Sequence, residues 1–87
     1  MRSLLLENDA EVVLQILVKN LDVAKEQITD DARLEDDLGV DSLGFVEITM
    51  AVEERLHLNV PDEQAERVKT VGDLFELVAE LSAEQKE

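Results

Sequence analysis

Cysteine is missing altogether from the 87 residues, so neither a disulfide framework nor a thiolate metal site is available. Histidine occurs once, as His57, and one imidazole rarely makes a metal site. Cations are scarce: 8 Lys and Arg stand against 22 Asp and Glu, a formal net charge of -14. Phosphate backbones need Lys and Arg, so this balance disfavours nucleic acid, and no nucleic-acid partner is expected. An anionic membrane surface is disfavoured on the same ground. No stretch approaches the roughly 20 apolar residues of a membrane span. The Leu4-Leu5-Leu6 run is too short for a signal-peptide core and has no small-residue cleavage site behind it. The expected setting is the cytoplasm.

What is present is a helix-forming, aliphatic chain. Hydrophobic residues make up 45% of it, too many for a disordered acidic tail. The length suits one small domain, and a domain this small without staples leans on helix packing. Residues 9–82 are expected to form it, with 1–8 as an uncertain lead-in and 83–87 as a frayed charged tail. Nothing points to an oligomer, so a monomer is expected.

Asn8 or Asp9 is a candidate cap for a first helix over about Asp9 to Asn20, where Val12, Val13, Ile16 and Leu17 recur at helical spacing. Leu21 to Val40 has no sustained period. Its scattered Val23, Ile28, Leu34 and Leu38 are expected to pin a long loop to the core, with a helical turn near Ala24 to Gln27. A second helix runs from about Ser42 to Leu56. Phe45, Ile48, Val52 and Leu56 form its core stripe at about 100° per residue. Val60-Pro61 ends the following segment, since proline cannot continue a helix and extends its predecessor. Asp62 to Arg67 reads as a short third helix capped by Asp62. Thr70-Val71-Gly72-Asp73 resembles a capping box with Asp in place of Glu. Val71, Leu74, Phe75, Val78 and Leu81 give the last helix its stripe. The fold class is all-α: three main helices, a short third one, and a long loop between the first and second.

The second helix carries more apolar residues than its core stripe uses. Leu43 and Met50 lie nearly opposite that stripe and Val46 to one side, interleaved with Glu47, Glu53 and Glu54. Apolar residues rimmed by charge mark a protein-binding surface, unless a loop or neighbouring helix covers them. No Lys or Arg occurs between Arg33 and Arg55, while Glu35, Asp36, Asp37, Asp41, Glu47, Glu53 and Glu54 all fall there. Such a field steers basic partners.

Ser42 stands at the start of this helix. As a nucleophile it would need a base, yet His57 lies along the same helix at roughly 22 Å, taking 1.5 Å per residue. No Gly-x-Ser-x-Gly elbow surrounds it. An EF-hand register fails from either Asp36 or Asp37, because ligand positions fall on Leu38 and Val40 or on Ile48. His57 suits a helix C-terminus, where partial positive charge is favoured. Two readings of Ser42 then remain. It is a simple N-cap, or it is an attachment point whose anionic substituent sits in the field of the helix N-terminus.

Asp37-Leu38-Gly39-Val40-Asp41-Ser42-Leu43 resembles the Asp-Leu-Gly-x-Asp-Ser-Leu signature of acyl carrier proteins. The likeness continues through Val46-Glu47, Met50-Ala51, Glu53-Glu54, Val60-Pro61-Asp62-Glu63, Ala65-Glu66 and Thr70-Val71, and spans roughly Val13 to Leu81. It implies a four-helix bundle with 4′-phosphopantetheine, drawn from coenzyme A, on Ser42. The arm's thiol would hold acyl groups as thioesters, so the chain itself needs neither cysteine nor catalytic base and is not an enzyme. The implied docking set is Asp41, Leu43, Val46, Glu47, Met50, Glu53 and Glu54. Its partners would be a phosphopantetheinyl transferase, acyltransferases, ketosynthases and other acyl-processing enzymes with basic patches. The resemblance also implies an acyl chain tucked between helices, and a core whose only aromatics are Phe45 and Phe75 suits that.

Gly44 departs from the pattern, since many fatty-acid carriers have Asp there. Arg55, His57 and the longer lead-in depart too. They point to a specialised polyketide, modified fatty acid or lipid carrier at least as much as to a housekeeping one. The Gly-Gly of peptidyl carriers is absent, and the length suits a freestanding carrier. The competing expectation is an acidic helical interaction module, responsive to cations and unmodified at Ser42.

The net charge of -14 also opposes compaction by self-repulsion. Moderate salt or divalent cations are therefore expected to raise the Tm. A Tm that stays flat across that range would contradict it.

Overall fold

The computed structural model describes residues 7–85. The Leu4-Leu5-Leu6 lead-in lies outside them. Four helices follow in order: α1 (Glu7–Leu21), α2 (Ser42–Leu56), α3 (Asp62–Ala65) and α4 (Val71–Gln85). Among the described residues there is no β-strand, only an isolated antiparallel bridge between Arg33 and Thr70.

α1 buries Val13, Leu14, Ile16 and Leu17, spacings that put them on one face. It starts earlier than its polar residues predict. Asp9 lies inside the first turn, and its carboxylate accepts a hydrogen bond from the Ser82 hydroxyl at 2.9 Å. Ser82 therefore ties α4 to α1, and α4 continues to Gln85 where the sequence led us to expect a frayed tail. At the far end of α1, Asp22 takes the left-handed conformation (φ 54°), one of the few side chains that tolerate it.

The long loop is anchored as its scattered apolar residues predict. Ile28, Ala32, Leu34 and Val40 are buried, and the expected helical turn is a 3₁₀ turn at Lys25–Gln27. Backbone pairing adds to this anchoring. Leu34 N–H donates to Lys69 O at 3.0 Å, Val71 N–H to Ala32 O at 2.9 Å, and Gly72 N–H to Asp30 O at 2.7 Å. These bonds stitch the loop to Lys69, just before α4, and to the first two residues of α4.

α2 has the expected limits and buries Ile48 and Val52, with Phe45 and Leu56 packed half-buried beside them. It ends at His57, which is left-handed (φ 56°, ψ 45°). Leu58 N–H reaches back to Glu53 O at 3.2 Å and Leu58 is buried, as in a Schellman closure. α3 is shorter than its sequence pattern suggests, and Pro61 rather than Asp62 holds the cap position. Asp62 and Glu63 then occupy the first turn, where negative charge is favoured.

The capping box opening α4 forms as expected. Asp73 N–H donates to Thr70 Oγ1 at 3.1 Å, and Thr70 N–H to the Asp73 carboxylate at 3.1 Å. Lys69 N–H donates to the same carboxylate at 3.0 Å. The predicted stripe of α4 is buried throughout, and Leu77 and Ala79 are buried as well.

Burial dominates the stability of this arrangement. A fully buried Leu, Ile, Val or Phe contributes about 1.5–3 kcal/mol. The Arg33–Asp36 ion pair, with side chains 67% and 64% exposed, contributes at most about 1 kcal/mol.

The stitch has no room at Gly72, where an added Cβ would stand 2.9 Å from the Asp30 carbonyl oxygen. Backbone must move to relieve that contact. Such overpacking costs about 1–3 kcal/mol, against at most about 1 kcal/mol of helix propensity gained. Gly72→Ala is therefore expected to lower the denaturant midpoint. An unchanged or higher midpoint would show that the loop yields freely.

Candidate functional site

The segment before α2 is a closed turn. Arg33 N–H donates to the Asp37 carboxylate at 2.8 Å. Asp37 and Leu38 N–H groups return to Arg33 O at 2.9 and 3.0 Å, and Val40 N–H donates to Leu34 O at 2.8 Å. Gly39 takes φ +72° with no atom within 4 Å of an added Cβ. Its requirement is therefore backbone conformation, not space. Val40, two residues before the helix, is buried.

Asp41, not Ser42, is the N-cap. Its backbone is extended (φ -93°, ψ -176°), and its carboxylate accepts from Gly44 N–H at 2.7 Å. Ser42 is the first helical residue and is exposed. Its hydroxyl is thus released from the capping role. His57 sits at the opposite end of α2, so no imidazole serves Ser42 as a base.

Leu43, Val46 and Met50 are 67%, 48% and 59% exposed, and nothing among the described residues covers them. Glu47 and Glu54 are exposed beside them. Glu53 has a use the sequence did not reveal: its half-buried carboxylate accepts from Val60 N–H at 2.8 Å. It holds the turn between α2 and α3.

A cleft of about 540 Å³ opens beside Ser42. α2 lines it with Ser42, Phe45, Val46 and Thr49, positions i, i+3, i+4 and i+7 on one helix face. Leu34 and Val40 from the loop, and Ala65 and Val68 from the α3 side, complete an apolar lining. Glu35, Asp41, Asp62, Glu66 and Lys69 also line it. Sequence reasoning missed Leu34, Thr49, Ala65 and Val68 as a group. Only Thr49, two turns from Ser42 on the same face, carried a usable signal.

Gly44 also has a local explanation. An added Cβ would lie 3.1 Å from the Asp41 carboxylate and 3.6 Å from Val40 Cγ1. The glycine gives the cap room to close on the residue 44 amide.

Among the described residues no group of three or more metal-ligating side chains occurs. No described helix is long and apolar enough to cross a membrane.

Comparison with known proteins agrees with this geometry. Residues 11–78 match the family model for a phosphopantetheine attachment site. A Syntrophobacter fumaroxidans protein named acyl carrier protein is 45% identical over 71 residues, 82% of this chain and 88% of that protein. An acyl carrier protein of Caulobacter vibrioides is 42% identical over 73 residues, 84% and 94% of the two chains. One from Clostridium perfringens is 47% identical over 66 residues, 76% and 87% of the two. The chain belongs to the acyl carrier protein family. It is a carrier and not an enzyme, and its prosthetic group is covalently attached 4′-phosphopantetheine.

The start of α2 fits a serine-linked phosphodiester. It offers an exposed hydroxyl at Ser42. The first turn of a helix also leaves the Ser42 and Leu43 N–H groups without intrahelical acceptors, in a field that favours an anion.

If Asp41 holds this start, Asp41→Ala should destabilise the protein by about 1 kcal/mol, or roughly 4–8 °C in Tm for a domain of this size. Asp41→Asn should recover most of the loss, since its side-chain oxygen still caps. Equal losses in both variants would assign the effect to charge instead.

Proposed function

We propose that Ser42 carries the 4′-phosphopantetheine arm and that this chain delivers acyl thioesters to partner enzymes of fatty acid, polyketide or specialised lipid biosynthesis. The observation that carries the proposal is the division of roles at the helix start. Asp41 closes the cap and leaves the neighbouring hydroxyl exposed. When bound, the arm supplies a thiol, which the chain has no cysteine to provide. The chain's own residues present the serine, steer the partner and shelter cargo.

The docking face is Asp41, Leu43, Val46, Glu47, Met50 and Glu54, with Glu53 at its edge bracing the turn to Val60. Exposed apolar residues supply the contact centre, and the surrounding acids supply attraction to basic patches. The partners are a phosphopantetheinyl transferase, acyltransferases, ketosynthases and related enzymes. The cleft of about 540 Å³ beside Ser42 shelters the acyl chain. The carrier unit is residues 9–82 together with the ends of α1 and α4, which reach Glu7 and Gln85, and it works as a monomer in the cytoplasm.

One assay tests both the serine and the face. Wild type, Ser42→Ala and Glu47→Lys are incubated with coenzyme A and a phosphopantetheinyl transferase, and intact mass is followed over time. Wild type should gain the mass of one arm as the adenosine bisphosphate half of coenzyme A leaves, and Ser42→Ala should gain none. Glu47→Lys should be modified more slowly, with a flatter salt dependence. A gain that persists in Ser42→Ala removes the attachment proposal. An unchanged rate in Glu47→Lys removes Glu47 from the docking face.

A further inference from the structure

We propose that Phe45 is a specificity-determining residue that limits the length of acyl chain the cleft beside Ser42 can shelter. The inference rests on the proposed use of Ser42 and of that cleft, and it adds which side chain sets the cleft's extent.

The cleft follows α2 away from Ser42 along the face made by Phe45, Val46 and Thr49. From Ser42 to Thr49 that face runs about 10 Å at 1.5 Å per residue. Phe45 stands one turn from Ser42 and is the only aromatic on the cleft; the other, Phe75, is buried in α4 and does not line it. Phe45 is half-buried and packs on the aliphatic core. Ile48 and Val52, further along the same stripe, are 0% and 1% exposed and take no part in the cleft. Along α2 the cleft reaches Thr49, but on its core side it is bounded by the layer Phe45 belongs to, with Ile48 and Val52 buried beyond.

A rigid ring in that position is a wall with few alternative rotamers. Leu or Ala there is smaller and opens the way from the cleft toward Ile48 and Val52. A chain that fits beside the ring is withdrawn from water. A longer one must leave its end in solvent or displace the ring. The cost of exposing apolar carbon rises with each methylene, so chain length is the variable that reads out the wall.

Wild type, Phe45→Leu and Phe45→Ala are loaded from butyryl-, octanoyl- and tetradecanoyl-coenzyme A by a phosphopantetheinyl transferase. Intact mass confirms loading, with Ser42→Ala as the control. Tm and the rate of thioester cleavage by hydroxylamine are then measured for each. In wild type the rise in Tm over the unacylated form should level off at a shorter chain than in Phe45→Ala. Cleavage of the tetradecanoyl thioester should be several-fold slower in Phe45→Ala than in wild type, and Phe45→Leu should fall between. If Phe45→Ala does not fold by circular dichroism, Phe45→Leu against wild type decides. The same chain-length profile in wild type and the folded variants overturns the role of Phe45 while leaving the carrier function standing. Loading that fails in wild type, or persists in Ser42→Ala, overturns the attachment proposal, and the inference falls with it.

Discussion

Three backbone hydrogen bonds between residues 30–34 and 69–72 hold the site in place. They turn a long, irregular loop into a fixed strut against the start of α4. Leu34 is both a donor to Lys69 and the acceptor for Val40 N–H, so the strut passes its position straight to the residue before the Asp41 cap. Each such bond contributes only about 0.5–1.5 kcal/mol net. Their effect on geometry is larger, because the two connections they join would otherwise move independently. The serine, the cap and one wall of the cleft all follow from this brace.

The acidic residues divide into two kinds, and composition cannot separate them. Asp37, Asp41, Glu53 and Asp73 each accept a backbone N–H and close a turn or a helix end. Glu47 and Glu54 are exposed on α2 beside Leu43, Val46 and Met50. A charge of -14 therefore has two parts. The first is internal and satisfies orphan donors where helices meet loops. The second is external and lies exposed on α2. The core can be almost wholly aliphatic because so much of the polar accounting is completed at the turns.

Local features of the sequence carried most of the fold. The limits of α2, its Ile48–Val52 stripe, the Thr70–Asp73 capping box and the turn near Lys25 were all legible. Each is set by residues within one or two turns of one another. Asp41 and Ser42 are both good capping residues, and neighbouring side chains alone do not choose between them. The extended backbone at Asp41 does, next to the buried Val40. The bond from Ser82 to Asp9 spans 73 positions, and the cleft draws its walls from three separate segments. Nothing in a single stretch of chain encodes such meetings. They appear only when the helices are packed. Glu53 misleads for a related reason: it has the look of a surface acid until the chain turns back and brings Val60 N–H to it.

The hydrogen bond between Asp9 and Ser82 has an architectural consequence. It brings the opening turn of α1 against the closing turns of α4, so chain enters and leaves the bundle at one place. Proximity of that kind is what lets a domain be fused or inserted without distortion. A tether or a host protein joined to this bundle would attach where those two turns meet, while the Asp41–Ser42 corner keeps its own bracing in the loop and α4.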